Sequence, residues 1–422
     1  MPQVEGISVV SVMSLVAPPG VETVPASPLA TFDSSAETLD AWAAHDGVPL
    51  LATVARALCV LDHTTGLDAF CLPYPPVVQL ALDRAVVAWL RGGLRPPASL
   101  AELVQRCADI PLEDWPLSLP SDAVGPDDVL LDPYSHRPTQ LCHEWSEWEH
   151  SAPDPAVRHR DQQVMRTALD RCRSHGEEDA YTEFRSLLVR RPVLTAQELF
   201  ALHGDFTLEP VWELIDLIYP EVPLSWSRDG CYAVCGRCGT LLTPLAGGEW
   251  WCERDRCRRQ GDPPVGRLIE AAHAGTLYQL ERPLRRHVTG PGLAEVELED
   301  RLTGLGLDVT MWPGFDSYDL LVVFPDGHRW AVDVKDWAHP AFLGRAARPV
   351  RPEPPYDEAF WVVPVYRVRE RPGYQQAFQR ARPAAAAAVR LLTDDELIRA
   401  ARQRLAESRR GTRAESQEGT DA

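Results

Sequence analysis

Lys335 is the single lysine in a chain of 422 residues whose other 41 basic residues are arginines, and it stands in the triplet Asp333-Val334-Lys335. The two cations are not equivalent. An ammonium is a compact point charge on a flexible stem, whereas a guanidinium is a wide planar fork that does not give up its proton. A lone lysine two residues after an acid, at the end of an apolar strand, marks a position that asks for a small mobile cation. With 61 acids in 422 residues, an acid falls at any given position about one time in seven, so the triplet takes its meaning from its surroundings.

Those surroundings are a helix and a hairpin. Leu293–Gly304 reads as a helix with Leu298, Leu302 and Leu305 sharing a face, and Gly306 ends it. Glu295 lies on or beside that apolar face, where an acid must be paired or must bind something. Glu297 points to the polar side, and Glu299 sits at the edge as a second choice. A strand at Val309–Trp312 leads through Pro313-Gly314-Phe315-Asp316-Ser317-Tyr318 to Asp319, which opens a second apolar strand, Leu320–Phe324. Pro325-Asp326-Gly327 is a turn, and Arg329–Lys335 returns. In that return strand Ala331, Asp333 and Lys335 share one face. Two carboxylates and an amine can therefore converge at one end of a sheet. Such a cluster suits metal-assisted phosphodiester hydrolysis, with Mg²⁺ as a hard ion on carboxylate oxygens. Lys335 would orient the attacking water or stabilise charge developing on phosphorus.

These residues resemble the PD-(D/E)xK superfamily, the restriction-endonuclease-like nucleases: a helix with Glu295, a strand led by Asp319, then Asp333-x-Lys335. The Glu295–leucines–Gly306–strand opening looks like the Mrr-type branch. The resemblance covers about residues 290–385. It implies Asp319 and Asp333 as Mg²⁺ ligands, Lys335 as the catalytic lysine and Glu295 as an accessory acid. Tyr318 stands where the family motif has proline, so Asp316 remains a rival to Asp319 as the second acid. Arg345, Arg348 and Arg351 lie in a Pro-rich loop that could grip phosphates. Phe360–Val368 reads as a strand, and Gly373–Arg382 as a helix whose Gln375, Gln376 and Gln379 could line the site.

Cysteines supply a second chemistry. Cys235, Cys238, Cys252 and Cys257 follow the pattern C-x2-C-x13-C-x4-C, which fits a four-thiolate zinc ribbon with a hairpin over Thr240–Trp251 turning at Gly247-Gly248. The x4 spacing departs from the usual x2, and Cys231 could replace one of the four. Four protein ligands make a structural ion, with no open position for catalysis. Arg237, Arg254, Arg256, Arg258 and Arg259 could touch nucleic acid, although a solvated basic face is the commoner outcome.

The elements that must position these groups divide as follows. Residues 1–190 read as a mainly α-helical region. It begins with a strand and Pro-rich loop in residues 1–30 and has helices over Leu50–Leu61, Val77–Leu90, 156–174 and 180–190, with loop over 108–140. His136, His143 and His150 are scattered among acids and tryptophans, and read as surface or core histidines. Residues 191–280 hold a capped helix from Thr195, a helix over Trp212–Tyr219, the ribbon at 231–257 and a helix over Gly266–Leu277. Thr289-Gly290-Pro291-Gly292 signals a boundary. Residues 281–406 form the α/β restriction-endonuclease-like domain, and 407–422 a disordered tail. The formal charge of −19 is uneven: residues 281–422 hold 21 basic and 22 acidic groups, so nearly all of the excess lies in front. That balance argues against a nonspecific polyanion binder but leaves a local arginine surface free to meet DNA. The start lacks a basic region and Ile7–Val16 is too short to span a bilayer, so the chain reads as cytoplasmic, with no membrane partner.

The helical front, a Tyr-Pro-x-x-Pro step at Tyr219–Pro223, the Cys-x-x-Cys-Gly ribbon and the nuclease-like end together resemble the accessory nuclease of prokaryotic PIWI-RE three-gene islands. This implies DNA as substrate, a PIWI-like protein and a helicase as partners, and a role in defence. The alternative is a nuclease fold that has lost catalysis and binds DNA or protein partners; intact Asp319, Asp333 and Lys335 stand against it.

Overall fold

The apolar stretches of helical period become the helices Gly47–His63 and Pro76–Arg91, which bury Val48, Leu51, Val54, Leu58, Val78 and Trp89. The computed structural model describes residues 42, 44–63, 71–120, 123–148, 160–245 and 247–418. The strand and loop expected in residues 1–30, and His150, lie outside the described residues. Ser99 caps the helix Leu100–Asp109 through Glu102 N, and Thr139 caps Gln140–Ser146 through Cys142 N. The helices Arg160–His175 and Glu178–Arg190 follow. A capping box at Thr195 and Glu198 then opens Ala196–Leu202.

Strand β1 (Val193–Thr195) pairs antiparallel with a distant partner, β6 (Leu277–Gln279). Between them lies the ribbon: β2 (Cys231–Cys235), a hairpin of β3 (Thr243–Pro244) and β4 (Trp250–Trp251), and β5 (Val265–Glu270), which pairs antiparallel with β2. The helix expected over Gly266–Leu277 is therefore a strand followed by the single turn Ala271–Ala274. Its backbone ladders with Cys231–Cys235, and Gly266 lies so close to Gly236 that a Cβ there would stand 2.6 Å from the Gly236 Cα; close approach, not helical spacing, sets this segment.

The C-terminal part is a five-stranded mixed sheet in the order β11-β10-β9-β8-β7. Strands β7 (Asp308–Met311), β8 (Leu320–Val323) and β9 (Arg329–Val334) run antiparallel to one another, and β10 (Glu358–Val363) and β11 (Arg390–Thr393) continue parallel to β9. One face buries Trp330, Val332, Phe360 and Val362 against Leu298 and Leu302 of the helix Gly290–Thr303 and against Leu397 and Ala401 of Asp394–Glu418. Trp361 and Val363 on the other face pack on Leu343, Tyr374 and Phe378 of Pro340–Arg345 and Tyr374–Ala381. The strand expected to run to Val368 stops at Val363, where Pro364 starts the helix Val365–Glu370. The last helix is helical through Glu418, into the segment expected as a tail.

Two features join front and sheet. The first apolar core runs without a break from Phe184 and Leu188 into the sheet residues. Gly290-Pro291-Gly292, the boundary signal, opens the Glu295 helix, and a Cβ at Gly292 would collide with Val189. Thr289 Oγ1 donates to Leu188 O at 2.7 Å. The second seam lies at His339, fully buried among Trp42, Trp145 and Phe342. Its Nε2 donates to Ala123 O at 2.7 Å, and its backbone N–H, with that of Ala338, donates to Glu144 at 2.7 and 2.8 Å.

Burial pushes the His339 ring well below its ordinary range and lifts the Glu144 carboxyl to about 7. The signs oppose. A histidine held neutral contributes stability that is complete above about pH 6.5 and is lost as pH falls below it. A carboxyl whose folded value is raised contributes stability that is lost as pH rises from about 4.5 towards 7. We expect His339→Gln to leave an unfolding free energy that falls with rising pH between about 5 and 6.5, and Glu144→Gln one that rises, each by up to about 1.4 kcal/mol per pH unit. Urea unfolding across that interval reads both slopes; two variants with the parent's profile would count against the pairing.

Candidate active site and metal centre

The helix Gly290–Thr303 lays Glu295 against the sheet with 2% of its surface exposed. Between β7 and β8 the chain makes an unusual turn: Trp312, Gly314, Phe315 and Asp316 all have positive φ, from 47° to 66°. Left-handed backbone at Trp312 and Phe315 costs about 1–3 kcal/mol each and persists only where the surroundings hold it. Here Trp312 is buried, its Nε1 donates to Glu295 Oε2 at 2.5 Å, and its N–H donates to Asp319 O at 2.8 Å. Asp319 comes just before β8, and its Oδ2 accepts from Val334 N of β9 at 2.6 Å. Lys335 leaves the end of β9, with its N–H still bonded to Val362 O of β10. Its Nζ donates to Asp333 Oδ1 at 2.6 Å and stands 5.3 Å from the Trp361 ring centre. The sheet thus gathers Asp319, Asp333 and Lys335 at one end, under Glu295.

Arg185, from the helix Glu178–Arg190, is the group that sequence reasoning missed. Its Nη2 lies 2.9 Å from both Glu295 oxygens and 3.4 Å from Asp319 Oδ1, and its Nη1 pairs with Asp316. Tyr181 donates to Asp316 at 3.1 Å. So both Asp316 and Asp319 face this guanidinium, and Asp319 alone of the two also bonds to the Asp333–Lys335 strand.

Burial raises the Asp319 carboxyl well above its ordinary range, and Glu295 and Asp333 raise it further against Lys335 and Arg185. Glu295 is raised as well, by burial and by Asp316, against the pull of Arg185. Burial works against the charge on Lys335, but Asp333, Asp319 and Glu295 outweigh it and hold the ammonium above its ordinary value. Buried carboxyls that resist ionisation in each other's presence take up either protons or a cation. The site borders a cavity of about 390 Å³ lined by Arg185, Glu295, Asp319 and Lys335, by Arg286 and by Arg254 of the ribbon.

The four predicted cysteines are buried together, with their Sγ atoms within 4.8 Å of one another. Cys238 and Cys252 are 3.6 Å apart. Cys235 is pushed far down as it accepts hydrogen bonds from Cys238, Cys252 and Cys257, while Cys252 is pushed up. Sulfurs this close cannot all ionise without a cation among them, and four thiolates suit tetrahedral Zn²⁺. Cys231 lies outside the group at the start of β2. The hairpin turns at Gly248, where φ is 91°. Among the described residues this is the one set of three or more metal-donor side chains so tightly gathered.

Several predicted groups are placed elsewhere. Gln375 donates to Glu396, and the Arg345 guanidinium lies over Trp148. The ribbon arginines are engaged within the protein: Arg237 with Cys257 O and Gln260 O, Arg256 with Glu297, Arg258 with Asp132. His143 lies against Cys59, 3.4 Å from its Sγ, and His136 has φ of 52°. No helix among the described residues is long and apolar enough to cross a membrane.

Comparison with known families gives two matches, to separate stretches of the chain. Residues 292–409 match the family model described as REase associating with pPIWI_RE. Residues 50–195 match pPIWI_RE three-gene island domain Y. No curated protein matches the chain, and no solved structure does. Glu295, Asp319, Asp333 and Lys335 fall in the first match, and Arg185 in the second. The two matches, to different models and different stretches of the chain, support a REase-type protein of the pPIWI_RE three-gene islands.

Proposed function

We propose that the chain is a Mg²⁺-dependent DNA endonuclease with a restriction-endonuclease-like catalytic domain, acting in defence alongside a PIWI-like protein and a helicase. One observation carries this reading: Asp319 is buried between Glu295 and the Asp333–Lys335 edge, in a cluster of carboxyls whose ionisation calls for a cation. The donors are all oxygens, which fit a hard ion. Asp319 and Asp333 would hold Mg²⁺, with Glu295 as accessory acid; when bound, the ion polarises a phosphoryl oxygen and acidifies a water. Lys335, kept protonated by its three acid neighbours, places a fixed positive charge where the phosphorus centre gains negative charge. Glu295, tied to Trp312, orders the opposite wall. Zn²⁺ at the four cysteines holds the ribbon and takes no part in the chemistry.

Plasmid cleavage with Mg²⁺ tests the assignment. Asp319→Asn is expected to remove cleavage, and Asp316→Asn to leave more than a tenth of it, since Asp316 has no bond to the β9 edge. The reverse order would make Asp316 the second acid, undiminished cutting by Asp319→Asn would overturn the assignment of this site, and no cutting by the parent protein would favour the reading as a non-catalytic adaptor.

A further inference from the structure

Arg185 belongs to the region that matches domain Y, yet its guanidinium sits inside the acid cluster of the REase-type domain. Three carboxylates, Glu295, Asp316 and Asp319, are turned onto this one fork. Its side chain is 12% exposed, and it lies over the Trp312 ring with both Nη groups spent on acids and its Nε without a partner. The helix that carries it is fixed: Thr289 bonds to Leu188 O, Gly292 abuts Val189, and Gly314 N donates to Glu178 at 2.5 Å. The guanidinium is thus a built part of the site, not a loose contact.

We propose that Arg185 is the resident counter-cation of the acid site, and that a divalent ion binds there only by displacing it from Glu295 and Asp319. The inference rests on the reading of Asp319 as a metal ligand. The carboxylate oxygens that Arg185 now engages are those an ion needs, and arginine keeps its charge at every working pH. Two cations on the same oxygens repel each other, so one leaves. The cavity beside Arg185 gives the displaced fork somewhere to go without moving its helix. The front of the chain thereby sets the metal affinity of the catalytic part: Arg185 is a positioning residue whose release accompanies ion binding.

Mn²⁺ serves as the probe, because it favours the same oxygen donors and its binding is read by electron paramagnetic resonance without any turnover. Titrations would compare the full-length zinc-loaded protein with Arg185→Gln, Arg185→Lys and Asp319→Asn. Arg185→Gln is expected to bind Mn²⁺ at least about tenfold more tightly than the parent, and Asp319→Asn to lose the site. Arg185→Lys keeps a charge but cannot span three carboxylates, so its affinity falls between the two; it carries the test if circular dichroism shows the glutamine variant unfolded. Unchanged or weaker binding in the folded Arg185 variants, with binding still lost in Asp319→Asn, overturns the displacement and leaves Asp319 as a ligand. Binding that is indifferent to Asp319 overturns the metal-site reading itself.

Discussion

Replacing Lys335 by alanine is expected to lower Mg²⁺-dependent DNA cleavage by about 10²–10³-fold, the cost of removing one preorganised group that faces developing charge. The fold should survive, because the side chain is partly exposed and follows the last residue of β9 rather than filling the core. Loss of the ammonium leaves Asp333 without its ion pair but still partly in solvent. Lys335→Arg is the sharper variant. The Nζ is held within 2.6 Å of Asp333 and close above Trp361, a space shaped for a compact cation, so the charge alone should not restore activity. Single-turnover cleavage at saturating Mg²⁺ would show both variants losing the chemical step while DNA binding changes little. Cutting at the parent's rate by Lys335→Ala would end the case for a catalytic lysine. Because its acid neighbours hold the ammonium above its ordinary value, no loss of activity from lysine deprotonation is expected on the alkaline side below about pH 10.

This lysine was legible in the sequence because the chain writes arginine everywhere else, and because period-2 and period-3.6 patterns around it are local. A strand face can be read from Ala331, Asp333 and Lys335, and a helix face from Leu298 and Leu302. The four cysteines were legible for a similar reason: thiol pairs at short spacing have few other uses. Arg185 was not. It is one of 41 arginines on the polar side of an ordinary helix, and it meets Glu295 across 110 positions of sequence; nothing local distinguishes it from a solvated charge. The strand Val265–Glu270 was misread because its partner lies back at Cys231–Cys235. Pairing and packing over long distance decide these cases, and a one-dimensional pattern does not contain them.

The same long-range logic makes the cysteine group a structural keystone, and Cys252→Ser is expected to cost on the order of 4 kcal/mol or more of stability, at the large end for one substitution. The residues after Cys252 are those that tie the ribbon to its neighbours. Glu253 pairs with Arg285 at 2.9 Å, Arg258 with Asp132 at 2.6 Å, and Arg256 with Glu297 at 2.7 Å. The hairpin end of the ribbon has little else to hold it: β3 and β4 are two residues each, and Cys235, Cys238, Cys252 and Cys257 make up most of the small buried cluster beside them. A three-sulfur site binds zinc more weakly, the hairpin opens, and the wall that Glu253 and Arg254 give to the cavity beside Asp319 and Lys335 goes with it. Elemental analysis should then find the zinc content of Cys252→Ser reduced from one ion per chain towards none, together with a lower unfolding temperature and impaired cleavage. Cys231→Ser provides the contrast, since Cys231 stands apart from the four; it should keep its zinc. Full zinc in Cys252→Ser, or its loss in Cys231→Ser, would mean that a different set of sulfurs holds the ion.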